Sequence, residues 1–286
     1  MIPRLDAATF THLGGRTRNE DAAVCLPLLG RFAVIDGMGG ALAGDLAARL
    51  CADAVIATAD PIQALQLANT RILEESHREP TARGMGCVAT TVVVRDTDMF
   101  FAHVGDTLAM LATDIGCEIL TRKHTLAAQQ AERDGLVGGP LEGAKGSNQL
   151  TNDIGRCVHD DDRWIDRGGP TPWRPGDLLL LCSDGLYGAV PHDALTEAVQ
   201  RARAARAPAS DVARTLVQLA VAHGGTDNAT AVVVRHLPEP SVPRTIPKAL
   251  IARIMGIALV ALTVFALGFA AGRVSAFRIE PSGSAP

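Results

Sequence analysis

Six apolar runs of strand length recur along the chain, at 32–35, 88–94, 99–104, 108–112, 178–182 and 229–235. Several are apolar without a break, such as LLLLC at 178–182, the pattern of strands buried on both faces. Between them lie amphipathic stretches that predict helices at 41–58, 61–78, 192–205 and 210–223. The second opens on Asp60-Pro61, an N-cap residue before proline at the first helical position, and the last on Ser210-Asp211. The helices come in pairs between groups of strands, not one after each strand. That order argues against a doubly wound parallel sheet and for sheets flanked by helix pairs. Residues 134–170 read as Gly-rich and irregular, long enough for a functional flap or a mobile loop.

One apolar run has a different character. From 254 to 272 the chain carries 19 residues without a charge, between Arg253 and Arg273. At about 1.5 Å per residue they reach roughly 28 Å, close to the hydrocarbon thickness of a bilayer. The segment is apolar on every face and follows a linker with prolines at 238, 240, 243 and 247, so a membrane span is expected; a buried helix of the soluble domain is the alternative. The expected plan is a domain at 1–237, a Pro-rich juxtamembrane linker at 238–250, a transmembrane helix at 251–273 and a tail at 274–286. The N-terminal MIPRLDAATF lacks the apolar core of a secretory signal. Three flanking cations before the span (Arg244, Lys248, Arg253) face two after it (Arg273, Arg278). Both features predict a single-pass protein of the inner membrane with its domain in the cytoplasm. Gly268 and Gly272 have the small-xxx-small spacing that packs spans together.

Charge and cysteine content exclude some classes. The formal net charge is −4 and no basic stretch is interleaved with aromatics, so a nucleic-acid binder is not expected. The six cysteines, at 25, 51, 87, 117, 157 and 182, never form C-x-x-C. They read as scattered thiols in a reducing compartment, not as a zinc site or a disulfide framework.

The chemistry concentrates where apolar runs end. Asp36 follows FAVI, Asp106 follows FFAHVG, Asp184 follows LLLLCS, and Asp227 precedes the run at 229. Gly neighbours three of them, at 37, 105 and 185. Taken singly, each is an ordinary Asp-Gly turn. Taken together, carboxylates at the ends of neighbouring strands converge, and would have to protonate unless a cation neutralised them. Oxygen ligands without nearby Cys or His select magnesium or manganese. Near the N-terminus, Glu20 and Asp21 add two acids, and Arg16 adds a guanidinium suited to bidentate capture of phosphate.

Seven blocks then occur in a recognisable order: R-x-x-N-E-D (16–21), VIDGMGG (34–40), GMGCVATTVVV (84–94), HVGDT (103–107), LTRKH (120–124), LLLLCSDGL (178–186) and GGTDN (224–228). In order and spacing the chain resembles the protein phosphatase 2C-like family of metal-dependent serine/threonine phosphatases, bacterial members above all, over roughly residues 10–236. The resemblance implies an α+β fold, a four-layer α-β-β-α sandwich, with two Mn²⁺ or Mg²⁺ ions at one end. By that resemblance Asp36 bridges both ions, Gly37 offers its carbonyl to one, and Asp184 and Asp227 complete the cluster. Asp21, with Glu20 behind it, acts through coordinated water; Asp106 serves a third, weaker ion; Arg16 holds the phosphate.

The chain departs from the family pattern at several positions. Leu108 stands where an Arg is usual, Lys123-His124 replaces Asp-His, and Gly86-Cys87-Val88 replaces Gly-Thr-Thr. Met38 stands where some relatives carry a His proposed as general acid, which leaves His124 either as a proton donor or as a structural residue. None of these changes removes a ligand of the binuclear centre. The expected function is hydrolysis of phosphoserine or phosphothreonine in phosphorylated proteins, a Ser/Thr kinase or its substrates among them. The rival is an inactive module of the same fold that binds phosphorylated partners.

Overall fold

The computed structural model describes residues 2–39, 43–135, 144–159 and 161–239. The chain runs β1 (Leu5–His12), β2 (Asp21–Leu26), β3 (Arg31–Met38), α1 (Gly44–Ala57), α2 (Pro61–Arg78), β4 (Gly86–Arg95), β5 (Asp98–Val104), β6 (Leu108–Ala112) and β7 (Cys117–Ile119). It continues through α3 (Leu126–Arg133), β8 (Asp166–Pro172), β9 (Leu178–Cys182), α4 (Asp184–Tyr187), α5 (His192–Ala204), α6 (Ala209–Ala222) and β10 (Ala229–His236). One sheet has the order β1-β10-β9-β6-β7 and the other β2-β3-β4-β5-β8, with antiparallel pairing throughout.

All six apolar runs are strands, and together they are the interior strands of the two sheets. The unbroken LLLLC of β9 is explained by what lies on each face. Leu179 and Leu181 point into a core between the sheets, with Phe32, Val34, Val92, Val232 and Trp173. Leu178, Leu180 and Cys182 point the other way, into a core with Leu195 and Val199 of α5 and Leu216 and Val217 of α6. A third core joins Ile35 and Ala89 to Ala47 and Cys51 of α1 and Leu65 and Ile72 of α2. The layers therefore stack helix–sheet–sheet–helix, with apolar side chains filling all three spaces. At the start of α2, Asp60 Oδ1 accepts from the backbone N–H groups of Ile62 and Gln63, each at 3.0 Å, a cap worth about 1 kcal/mol.

The sequence pattern left out β1, β2, β7 and β8, and these are the four edge strands. β8 also corrects the expected loop at 134–170, because Asp166–Pro172 pairs with β5. Its glycines mimic a loop but serve a strand: a Cβ on Gly168 would lie 2.1 Å from the Phe101 ring, which covers that position. Residues 144–159 are irregular, tied down by bridges from Ile154 to Cys87 and from Leu150 to Thr125. Among the described residues no helix is long and apolar enough to cross a membrane. The expected span at 251–273 and the linker from residue 240 onward lie outside the described residues.

Candidate active site

The two sheets deliver their strand ends to one end of the sandwich. Asp21 opens β2 and lies directly across from Asp36 of β3 in the antiparallel register. Asp106 sits in the turn between β5 and β6, and Asp184 opens α4 just past the end of β9. On the other sheet, β1 and β10 pair so that His12 faces Ala229. The residues that leave β1, with Arg16 and Glu20, must therefore lie beside Asp227 and Asn228, which lead into β10. Arg16, Glu20, Asp36, Gly37, Asp106, Asp184 and Asp227 all line one open basin of about 840 Å³. Asp21 stands behind its wall. There it accepts a 2.7 Å hydrogen bond from Ser183 Oγ on Oδ2, while its Oδ1 is buried without a partner.

So many acids in one place alter each other's protonation. Burial, followed by the charges of Asp184 and Asp227, pushes Asp21 up to about 7. Burial and then Asp184 push Asp106 to about 7 as well, with Lys123 acting the other way. Asp36 is raised well above the carboxylate range by burial, then by Asp21, Asp184 and Asp106. Asp184 is raised by burial and by Asp227, and Glu20 by burial against the relief that Arg16 gives. Arg16 itself reaches Asp227, with Nη2 2.7 Å from Oδ2. Hard oxygen donors, an orphaned buried carboxylate oxygen and carboxyls driven toward protonation are what a divalent cation would satisfy, so these residues fit Mg²⁺ or Mn²⁺. Among the described residues, no group of three or more His, Cys, Asp or Glu side chains is spaced as it stands to hold a metal ion. Asp21 is hydrogen-bonded to Ser183, and Asp227 to Arg16.

Close backbone packing holds the basin floor. A Cβ on Gly37 would lie 2.1 Å from the Gly44 carbonyl oxygen, and one on Gly44 would lie 2.7 Å from the Glu20 carboxyl carbon. The end of β3, the start of α1 and Glu20 meet with no room for a side chain. The Gly37 N–H donates to the Glu20 carbonyl at 3.1 Å.

Sequence reasoning missed Asn228, which is buried and fully engaged. Its Nδ2 donates to the carbonyls of Leu13 and Arg18, both at 2.9 Å, and its Oδ1 accepts from the Glu20 N–H at 2.8 Å. It clamps the loop that carries Arg16 and Glu20 onto Asp227. It follows an Asp in GGTDN, so locally it reads as a turn residue, and its partners are about two hundred residues away. Ser183 was missed for the same reason. It donates to Asp21 and accepts from the Thr230 N–H at 3.0 Å.

His124 is not part of the basin lining. Its Nδ1 accepts from the Gly105 N–H at 3.2 Å, its own N–H donates to the Gly105 carbonyl at 2.7 Å, and its Nε2 lies 3.1 Å from Asp166 Oδ2. It braces the Asp106 turn from behind. Leu108, in place of the usual Arg, is buried in the core facing α5 and α6. Cys87 is buried opposite Gly37, and Met38 lines the basin.

Residues 19–134 match the family model described as Protein phosphatase 2C. The chain's relatives include bacterial serine/threonine phosphatases, to which it is similar. It is 28% identical over 230 residues to the serine/threonine protein phosphatase PstP of Mycobacterium tuberculosis, an alignment covering 76% of this chain and 42% of PstP. It is 28% identical over 216 residues to the serine/threonine phosphatase stp of Listeria monocytogenes, covering 70% of this chain and 82% of that one. The crystal structure of M. tuberculosis PstP superposes with a TM-score of 0.70 at 26% identity, over 82% of this chain and 99% of the solved one. A second structure, the PstP catalytic domain in complex with two manganese ions, gives a TM-score of 0.67 at 27% identity, with 82% and 99% covered. The chain thus spans about two fifths of the full length of PstP.

Proposed function

We propose that this chain is a metal-dependent phosphoprotein phosphatase that hydrolyses phosphoserine and phosphothreonine monoesters, held at the cytoplasmic face of a membrane by residues 251–273. The observation that carries the reading is the basin itself: five carboxyl groups and the guanidinium groups of Arg16 and Arg18 at the meeting point of both sheets. Asp36, Asp184 and Asp227 would hold two Mn²⁺ or Mg²⁺ ions, with the Gly37 carbonyl, and with Asp21 and Glu20 acting through water. When bound, such a pair draws negative charge from the phosphoryl oxygens and makes hydroxide available from water near neutral pH. The chain's own residues do the rest. Arg16 leaves Asp227 to take two phosphoryl oxygens with its planar fork. Asn228 fixes the loop that carries it, so the phosphate is received at a set distance from the carboxylates. Asp21, anchored by Ser183 on one oxygen, keeps the other free to orient a water. The basin is wide and open, which suits a phosphorylated segment of a protein.

The tether is supported by the uncharged 254–272 segment, its Pro-rich approach and the bias of flanking cations. Anchoring would raise the concentration of the enzyme near membrane-bound substrates, a receptor-type kinase or its targets. The deciding experiment is phosphate release from a phosphothreonine peptide by the full chain, with manganese and with EDTA, beside Asp36→Asn. Manganese-dependent release that the substitution removes supports the enzyme. Tight peptide binding by a folded protein without release would favour the phospho-binding module instead.

A further inference from the structure

The turn that carries Asp106 is held by side chains that stay out of the basin. Thr90 of β4 and His103 of β5 lie directly across from each other in the antiparallel register, both fully buried. His103 Nε2 is 2.9 Å from the Gly105 carbonyl oxygen, and its Nδ1 is 2.8 Å from Thr90 Oγ1. Thr90 Oγ1 is in turn 2.7 Å from Thr107 Oγ1. Gly105 and Thr107 are the residues on either side of Asp106. The Asp106 carbonyl accepts from the Tyr187 hydroxyl at 2.7 Å.

The protons in this network have one order. A carbonyl oxygen can only accept, so Nε2 carries the imidazole proton. Burial, and then the neighbouring His124, push His103 down to about 3, so the ring is neutral and Nδ1 offers only a lone pair. Thr90 therefore donates to His103, and Thr107 donates to Thr90. The relay runs Thr107, Thr90, His103, Gly105, and it begins and ends on the neighbours of Asp106. We propose that Thr90 and His103 are positioning residues that preset the Asp106 turn, so that its carboxylate stands in place before a divalent cation arrives. The inference rests on the metal centre proposed above, with Asp106 among the residues that hold a cation. Strand β5 ends at Val104 and β6 begins at Leu108, so the turn between them has no strand ladder of its own. The relay supplies the missing order. A carboxylate on a turn already held loses less freedom when a cation fixes it. Groups that orient a ligand from behind are worth about ten- to a hundredfold in metal affinity.

The test is manganese binding, read by calorimetric titration of the full chain in mild detergent, without substrate. Asp106→Asn should remove or weaken the ion that Asp106 holds. Thr90→Val keeps the shape of the side chain and removes only the hydroxyl, which leaves His103 Nδ1 and the Thr107 hydroxyl unpaired. It should weaken that same ion about tenfold, with the remaining ions bound as in the wild type. Thr90→Ser, which keeps the hydroxyl, should match the wild type. Thr107→Val leaves the Thr90–His103 bond intact and should weaken the ion about threefold. In the Asp106→Asn background, Thr90→Val should change nothing further, an outcome that general loosening of the fold would not give. A further loss in that double variant, or failure of Thr90→Ser to match the wild type, would overturn the proposal. A loss on Asp106→Asn with none on Thr90→Val and Thr107→Val would overturn this inference alone. An isotherm that Asp106→Asn leaves unchanged would overturn Asp106 as a ligand and this inference with it, and a wild type that binds no manganese would overturn the metal centre as well.

Discussion

Two acidic regions lie on opposite sides of the turn that carries Asp106. In the basin, burial and neighbouring acids push Asp21 and Asp106 up to about 7. Behind the turn, Asp166 is held down at about 2, first by its contact with His124 and then, against burial, by the Arg122 guanidinium. Arg122 completes that second cluster through Glu132, at 2.8 Å. The residue type is the same and the surroundings decide its behaviour. Where the chain supplies its own cations, the acid is a structural brace. Where it supplies acids in excess, the cluster is stable only with protons or with cations from solution, and that is the condition of a metal site.

The largest effect is expected from Asp36→Asn. Manganese-dependent phosphate release should fall about 10³-fold or more, equivalent to about 4 kcal/mol of barrier. The metal-free variant should melt no lower than the wild type, because one repelling charge has gone. Undiminished turnover would remove Asp36 from the centre. Next in size is Asn228→Asp, which turns a donor of two hydrogen bonds into an acceptor facing the carbonyls of Leu13 and Arg18. Unpaired buried carbonyls and a loosened Arg16 loop should lower kcat/KM about 10- to 100-fold, mostly through KM, while manganese stoichiometry stays the same. A change in kcat alone would show that Asn228 does not position the phosphate-binding loop.

The pH dependence of stability separates the two regions. Asp21 and Asp106 keep their protons to about 7 in the folded chain but lose them near the ordinary carboxylate value of 3.8 when unfolded. The native state therefore binds more protons between those limits, and metal-free stability should fall as pH rises from about 4 to about 7. Melting temperatures at pH 5 and pH 7.5 should differ by several degrees without metal, and manganese should raise the pH 7.5 value more than the pH 5 value. A metal-free protein that gains stability across that range would contradict the raised carboxyls. Asp166 acts in the opposite sense and in another window. Its stabilisation is complete above about 4 and is lost as pH falls toward about 2. Because the side chain is partly exposed and its pairs are screened by solvent, Asp166→Asn should cost no more than about 1 kcal/mol at neutral pH. Turnover should stay within about threefold of wild type, and a larger loss would mean that the brace behind the turn reaches the chemistry.

Features recorded locally were legible along the chain. Strands β3, β4, β5, β6, β9 and β10 are interior, buried on both faces, and their apolar runs announce them. The four helices expected from amphipathic stretches are present as α1, α2, α5 and α6. The acids at the ends of those strands could be picked out because a charge that interrupts a buried run is conspicuous. The remainder depends on how the two sheets come together. The edge strands β1, β2, β7 and β8 bury half their side chains or fewer, so their patterns are diluted by polar residues. Asn228, Ser183, His124 and Thr90 have roles set by hydrogen bonds and charges that join distant parts of the chain. Such contacts leave no periodicity in the residues beside them, so they exist only once the two sheets have brought their ends together.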